Sequence, residues 1–242
     1  MNFIPIKTRV FRLPQDDIYK LLDESATDLC DGDLLCVTSK ILAIAQGRCI
    51  KIGESVNKHA ITKKEADWFH PQTVKAGRRE VMLTIKDHTL IPSAGIDESN
   101  GNGYYVLWPR HTNRLLREIW LYLKKKHGLR RLGLIATDSH TIPLRRGVVG
   151  ISTGFWGFTP LLDRRGSKDI FGRKLKMTRS NIVDAVAAAA VLVMGEGREK
   201  IPFVICRGMG KVHFNSQDNY RGFIIDKKSD LYRPILKGFK RA

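Results

Sequence analysis

The run Ile182–Met194, read Ile-Val-Asp-Ala-Val-Ala-Ala-Ala-Ala-Val-Leu-Val-Met, constrains this chain more than any other stretch. As a helix it is apolar on every side except at Asp184, so it must be enclosed by other protein. It falls short of the roughly 18 apolar residues that a bilayer span needs. Its small Ala and Val side chains suit a helix packed tightly inside a soluble fold, expected over residues 177–194. At 242 residues and 43% hydrophobic, the chain has the apolar content for a sizeable core around that helix. Met1 begins a strand-like run with no charged segment and apolar stretch behind it, so no secretory signal is expected and the location is expected to be cytoplasmic.

Around this helix the pattern is mixed. Residues 2–13 alternate loosely and read as a strand, 16–23 start a helix, and 34–38 form a short buried strand. Residues 41–45 either continue that strand or begin another element before Gly47. The charged stretch 57–79 is helical in composition and broken by Pro71, and 80–85 resume a strand. Residues 92–103 form a loop. Thr112–His127 carries Leu115, Leu116, Ile119, Trp120 and Leu123 at spacings of three and four, an amphipathic helix closed by Gly128. Residues 132–136 are a buried strand, the glycine-rich 147–158 suit closely packed strands, and 203–206 form another strand. Strands and helices do not alternate as in a doubly wound sheet, so an α+β class is expected, with mixed sheets and packed helices in one domain over 1–242 or two intertwined subdomains.

Cys30, Cys36, Cys49 and Cys206 show neither CxxC spacing nor histidine partners and read as reduced structural thiols. Lys and Arg number 42 against 24 Asp and Glu, a formal net charge of +18, and the excess lies entirely after residue 100. Such a field gathers polyanions, whether nucleic acid, nucleotides or polycarboxylates. Neither GxxxxGK[ST] nor a GxGxxG following a strand is present, so any nucleotide is held by another scaffold.

Four segments place polar residues where a plain loop does not require them: Ser39-Lys40, the run 93–100, Thr137-Asp138-Ser139, and Met194-Gly195-Glu196-Gly197. Brought together, Asp97, Asp138 and Glu196 make the oxygen-rich site that Mg²⁺ or Mn²⁺ prefers, and Ser139 adds a hydroxyl. Singly, Asp97 reads equally as a turn residue, Asp138 as a helix cap and Glu196 as a solvated acid. Arg145 and Arg146 offer forked donors to phosphate, or form a plain surface pair.

In order along the chain, Gly32-Asp33, Thr38-Ser39-Lys40, the run 93–97 with Ser99-Asn100, Thr137-Asp138, Arg145-Arg146-Gly147, Asp163, Gly172-Arg173, Asp184, Met194-Gly195-Glu196 and Arg207-Gly208 resemble the coenzyme F420-0:gamma-glutamyl ligases. The resemblance implies an intertwined homodimer and a ligase that uses GTP, with ATP as an alternative, and Mg²⁺ or Mn²⁺. Such a ligase activates a carboxylate of an F420-0-like acceptor as an acyl phosphate and joins L-glutamate to it. Carried over by position, Asp97, Asp138, Ser139 and Glu196 resemble the metal ligands, and Asp97, Asp138 and Arg146 the catalytic group. Leu13, Pro14, Ser39, Lys40, Asn100, Arg145 and the loop 194–201, with Met194, Gly195 and Gly197, resemble the nucleotide contacts. Two departures concern specificity. Ile44 stands where the family commonly has lysine, and Thr141-Ile142-Pro143 replaces a Gly-Arg. They leave a folate-like pterin as an alternative acceptor. A non-catalytic nucleic-acid-binding protein is the alternative of another class. The three carboxylates argue against it by repelling a phosphate backbone.

Overall fold

The computed structural model describes residues 1–77 and 79–242 and shows an α+β fold. β1 (Asn2–Ile6) is shorter than the alternating pattern of 2–13 suggests. Beyond Ile6 the chain leaves the sheet, and Thr8 N–H still donates to Lys200 O at 2.9 Å, laying this segment beside a later loop. α1 (Ile18–Ser25) starts where the Asp17 carboxylate accepts from the N–H groups of Tyr19 and Lys20. β2 (Asp33–Thr38) passes straight into α2 (Ser39–Ala45), so 41–45 are helical rather than a continued strand. Gly47, at φ 66°, turns the chain out of that helix into β3 (Cys49–Lys51).

α3 (Lys58–Glu65) covers only the first part of the stretch expected to be helical. Trp68, Phe69, Thr73 and Val74 are strand formers, and they carry β4 (Trp68–Ala76) against β5 (Arg79–Lys86). The register of that pair shifts between Phe69 and Thr73, around Pro71, which has no N–H for the ladder. β6 (Thr89–Pro92) and β7 (Tyr104–Val106) flank the expected loop. α4 (Thr112–His127) has the expected bounds and is closed by left-handed Gly128. β8 (Leu132–His140) and β9 (Val149–Trp156) form an antiparallel pair.

β10 (Leu161–Asp163) pairs with β11 (Arg179–Asn181), which takes the residues expected to begin the apolar helix. α5 (Ile182–Met194) therefore starts later, where the Asn181 side chain accepts from Asp184 N–H. β12 (Phe203–Arg207) follows, then the short helices α6 (Tyr220–Phe223) and α7 (Arg233–Leu236), and finally β13 (Lys240–Arg241).

The central sheet runs β1-β12-β2-β8-β9, with β2 and β8 parallel and the other pairs antiparallel. Both its faces are covered. Leu35, Val37, Leu134 and Ala136 face α1, α2 and α4, whereas Leu34, Cys36, Ile135 and Val204 face α5. That is why β2 is a continuous apolar run and not an alternating one. Gly150 on β9 lets α5 approach closely, since a Cβ there meets Ala187 O at 2.5 Å and Val191 Cβ at 2.6 Å. The alanines of α5 thus serve close packing against the sheet.

A second sheet runs β13-β4-β5-β6, and β3 pairs with β7. The segment after β12 ties the two main sheets together. Asn215 N–H donates to Gly157 O, Tyr220 OH donates to Asp87 O, and Phe239 is buried beside His70. Cys36 and Cys206 are buried, Cys49 is half-buried and Cys30 exposed, all as free thiols. Among the described residues, no helix is long and apolar enough to cross a membrane.

Candidate active site

Because β2 and β8 are parallel and in register from Asp33↔Leu132 to Thr38↔Thr137, they end at the same edge of the sheet. Ends of parallel strands are where open α/β sheets present ligands. β2 hands the chain to α2, delivering Ser39 and Lys40, while β8 continues into Asp138 and Ser139 past a register shift at Ala136/Thr137. α5 ends at the same edge and turns through Gly195 (φ 76°) into the loop that carries Glu196 and Gly197. The fourth wall is the segment after β6, fixed to β7 by the paired backbone hydrogen bonds of Asp97 and Val106, each 2.9 Å.

These pieces enclose a cavity of about 560 Å³. Lys40, Asp97, Asn100, Asp138, Ser139, Met194, Gly195, Glu196 and Gly197 all line it. Ser39 Oγ donates to Asp138 Oδ2 at 2.8 Å, and Ser139 Oγ to Glu196 Oε2 at 3.3 Å. Asn100 Nδ2 donates to Gly197 O at 2.9 Å, fastening the Asp97 segment to the loop after α5. Lys40 Nζ lies 2.5 Å from Asp97 Oδ2.

Burial pushes the Asp138 carboxyl up to about 6, against the opposing pull of the Ser39 hydroxyl and the Ser139 N–H, and the nearby charge of Asp97 adds to the rise. Burial also acts on Asp97. There the Lys40 ammonium, with the Ser99 N–H and hydroxyl, outweighs it and holds the carboxyl below its ordinary value.

Several expected site residues lie elsewhere. Arg145 and Arg146 are exposed on the turn between β8 and β9 and do not line the cavity. Leu13 packs on the hydrophobic core and Pro14 is exposed, while Thr8, Arg9, Val10 and Phe11 form that side of the wall instead. Arg9 is held there by Asp16 at 2.5 Å and Glu24 at 2.9 Å. Sequence reasoning missed Arg9, and it included Arg198, Glu199 and Lys200 only as part of the loop 194–201, without a role for any one of them. Glu199 accepts from Gly197 N–H at 2.8 Å, and a Cβ at Gly195 would fall 2.5 Å from its carboxyl carbon. The glycines on either side of Glu196 were the available signal that a side chain folds back there.

Residues 6–208 match the family described as F420-0:Gamma-glutamyl ligase. The chain belongs to the F420-0:gamma-glutamyl ligase family. Similar proteins include the coenzyme F420:L-glutamate ligase of Methanopyrus kandleri, 33% identical over 245 residues that take in 95% of this chain and 96% of that protein. The protein of the same name from Methanothermobacter thermautotrophicus is 31% identical over 229 residues, 89% and 90% of the two chains. That of Archaeoglobus fulgidus is 32% identical over 235 residues, 92% of each. Within this gamma-glutamyl ligase family member, Ile44 is buried and lines the cavity, so the lysine that the resemblance leads one to expect is replaced by an apolar wall.

The donor set suits a hard divalent cation: three carboxylates, hydroxyls and an amide around one cavity, with Asp97 and Asp138 near enough to feel each other's charge. The oxygens are held in pairs. Among the described residues no three His, Cys, Asp or Glu side chains are gathered closely enough to hold a metal ion as they stand.

Proposed function

We propose that this chain joins L-glutamate to a carboxylate of an F420-0-like acceptor, using GTP and a divalent cation, Mg²⁺ or Mn²⁺. The observation that carries the reading is the gathering of Asp97, Asp138, Ser139 and Glu196 with Lys40, Asn100 and the Gly195–Gly197 turn around one cavity. The family and the names of the relatives support the acceptor and the amino acid.

A carboxylate is a poor electrophile until it carries a leaving group. In this reading an acceptor carboxylate oxygen attacks the γ-phosphorus of GTP, GDP leaves, and an acyl phosphate results. The amine of glutamate then attacks the acyl carbon, a proton is lost from nitrogen and phosphate departs. When bound, the divalent cation neutralises phosphate oxygens during the transfer. Asp97, Asp138 and Glu196 would hold it, with Ser139 as a further oxygen donor. Ser39 orients Asp138 by its hydrogen bond, and Asn100 fixes the loop on which Glu196 stands. Holding the two reactants side by side supplies much of the remaining rate. Ile44 removes one cation from the cavity wall, which makes ATP the alternative nucleotide to test. In the same reading the chain acts as one ligase domain in a cytoplasmic homodimer.

The deciding experiment supplies nucleotide, Mn²⁺ and glutamate with deazaflavin and pterin acceptors in separate arms, and follows products by mass spectrometry and phosphate release. Glutamylated deazaflavin, with phosphate released only when acceptor is present, is the expected result. A product on the pterin alone moves the acceptor to the folate class, and no product from any acceptor overturns the reading.

A further inference from the structure

The Lys40 ammonium is held by three oxygens. Besides Asp97 Oδ2 at 2.5 Å, it donates to Ser99 O at 2.9 Å and to Ser99 Oγ at 3.3 Å. Those three acceptors match the three N–H donors of an ammonium group. The cradle is braced from within: Ser99 Oγ donates to Asp97 Oδ2 at 2.9 Å, and Ser99 N–H to Asp97 Oδ1 at 2.8 Å. A carboxylate, a carbonyl and a hydroxyl around one cation are also the donors a hard metal ion takes. Asp138 and Glu196 line the same cavity, yet no other cationic side chain is paired with Asp97 among the described residues.

We propose that Lys40 is an exchangeable internal cation, occupying the Asp97 carboxylate in the ligand-free protein and giving it up when a divalent cation binds. This rests on the proposed function and extends it, because it gives Lys40 a role toward the cation besides its place in the cavity wall. Displaced from Asp97, the ammonium remains tethered by α2 inside the cavity, where the phosphates of a nucleotide replace the carboxylate as its counter-charge. Charge at the Asp97 wall then stays balanced in both states. An unpaired carboxylate or ammonium, partly withdrawn from water at the cavity wall, is unfavourable in either one.

Lys40 therefore weakens divalent binding before nucleotide arrives. The test titrates the nucleotide-free full chain with Mn²⁺, following free Mn²⁺ by electron paramagnetic resonance and heat by calorimetry. Lys40→Met is expected to bind Mn²⁺ about tenfold more tightly than the natural chain, the order expected from removing a like charge a few ångströms away. Lys40→Arg, which keeps the charge, is expected to stay near the natural value. Lys40→Gln repeats the test should the methionine variant fail to fold, judged by thermal unfolding. Unchanged or weaker Mn²⁺ binding in the neutral variants, with Asp97→Asn still weakening binding, overturns the exchange while leaving the metal reading intact. Mn²⁺ binding that neither Asp97→Asn nor the Lys40 variants alter, or none in any form, overturns both.

Discussion

The hydroxyl of Ser39 donates to Oδ2 of Asp138 at 2.8 Å, joining the first turn of α2 to the end of β8 across 99 positions of sequence. The contact exists because two parallel strands finish level with each other, so the residues that follow them meet. It leaves Asp138 partly satisfied, and burial still raises its carboxyl from 3.8 to about 6.

An acid bound more tightly to its proton in the folded state than in the unfolded chain gives stability below the unfolded value that is lost as pH rises through the folded one. For Asp138 that window runs from about 4 to about 6. Asp138→Asn keeps the size of the side chain and removes the titration. Its thermal midpoint in the absence of metal is expected to exceed that of the natural chain at pH 7–8 by an amount worth up to about 3 kcal/mol. The two should converge as the pH falls below about 4. A gap independent of pH counts against the assignment. Ligation by this variant should be lost.

Arg207 forks onto Asp33, with Nε to Oδ1 at 2.9 Å and Nη2 to Oδ2 at 2.8 Å. Asp33 is buried, and among the described residues its further donor is Cys30 N–H. Arg207→Ala is expected to cost about 2–3 kcal/mol in urea unfolding, below the 3–5 of a fully buried pair because Arg207 is itself partly exposed. A loss under 0.5 kcal/mol, the order of an ordinary surface change, excludes this account.

Gly150→Ala places a methyl against Ala187 O and Val191. Ala187 O is a backbone atom of α5 and Val191 Cβ is bonded directly to that backbone, so neither can yield as the end of a long side chain does. The variant is expected to lose about 1–3 kcal/mol in thermal unfolding. Nucleotide affinity should fall as well, since α5 carries the Gly195–Gly197 turn. Wild-type values for both quantities rule out the close approach described.

Asn100→Ala removes the 2.9 Å link to Gly197 O. One hydrogen bond of about 1 kcal/mol corresponds to roughly fivefold. The KM for nucleotide is expected to rise by that order, with kcat less affected, in steady-state assays. An unchanged KM removes Asn100 from the nucleotide side of the site.

Much of this fold was readable from residue patterns. The spacing of Leu116, Ile119, Trp120 and Leu123 defined α4 to its ends, and the apolar run of α5 required enclosure on all sides. The stretch 57–79 misled because lysines and alanine are good helix formers, while pairing with β5 and β13 outweighs local preference beyond Ala66. For the site, the residues flanking strand ends were informative because a polar group leaving a buried strand has few other reasons to be there. Leu13 and Pro14 were displaced from the wall by a few residues, since nothing local reveals where the chain beyond Ile6 turns back toward Lys200. Arg145 and Arg146 sit on a turn whose direction depends on how β8 and β9 twist. Within the loop 194–201, Glu199 could not be singled out because its role comes from a contact to Gly197 backbone and not from any spacing.

Asp97 stands on a segment anchored to β7, whereas Asp138 and Glu196 stand on the central sheet and at the end of α5. The mouth between them is bridged by few bonds, chiefly those of Lys40 and Asn100. A ligand that grips both rims acts as a staple between separately supported parts. Occupancy should therefore register as slower amide exchange in Ser99 and Gly197 and as added resistance to unfolding that grows with the logarithm of ligand concentration.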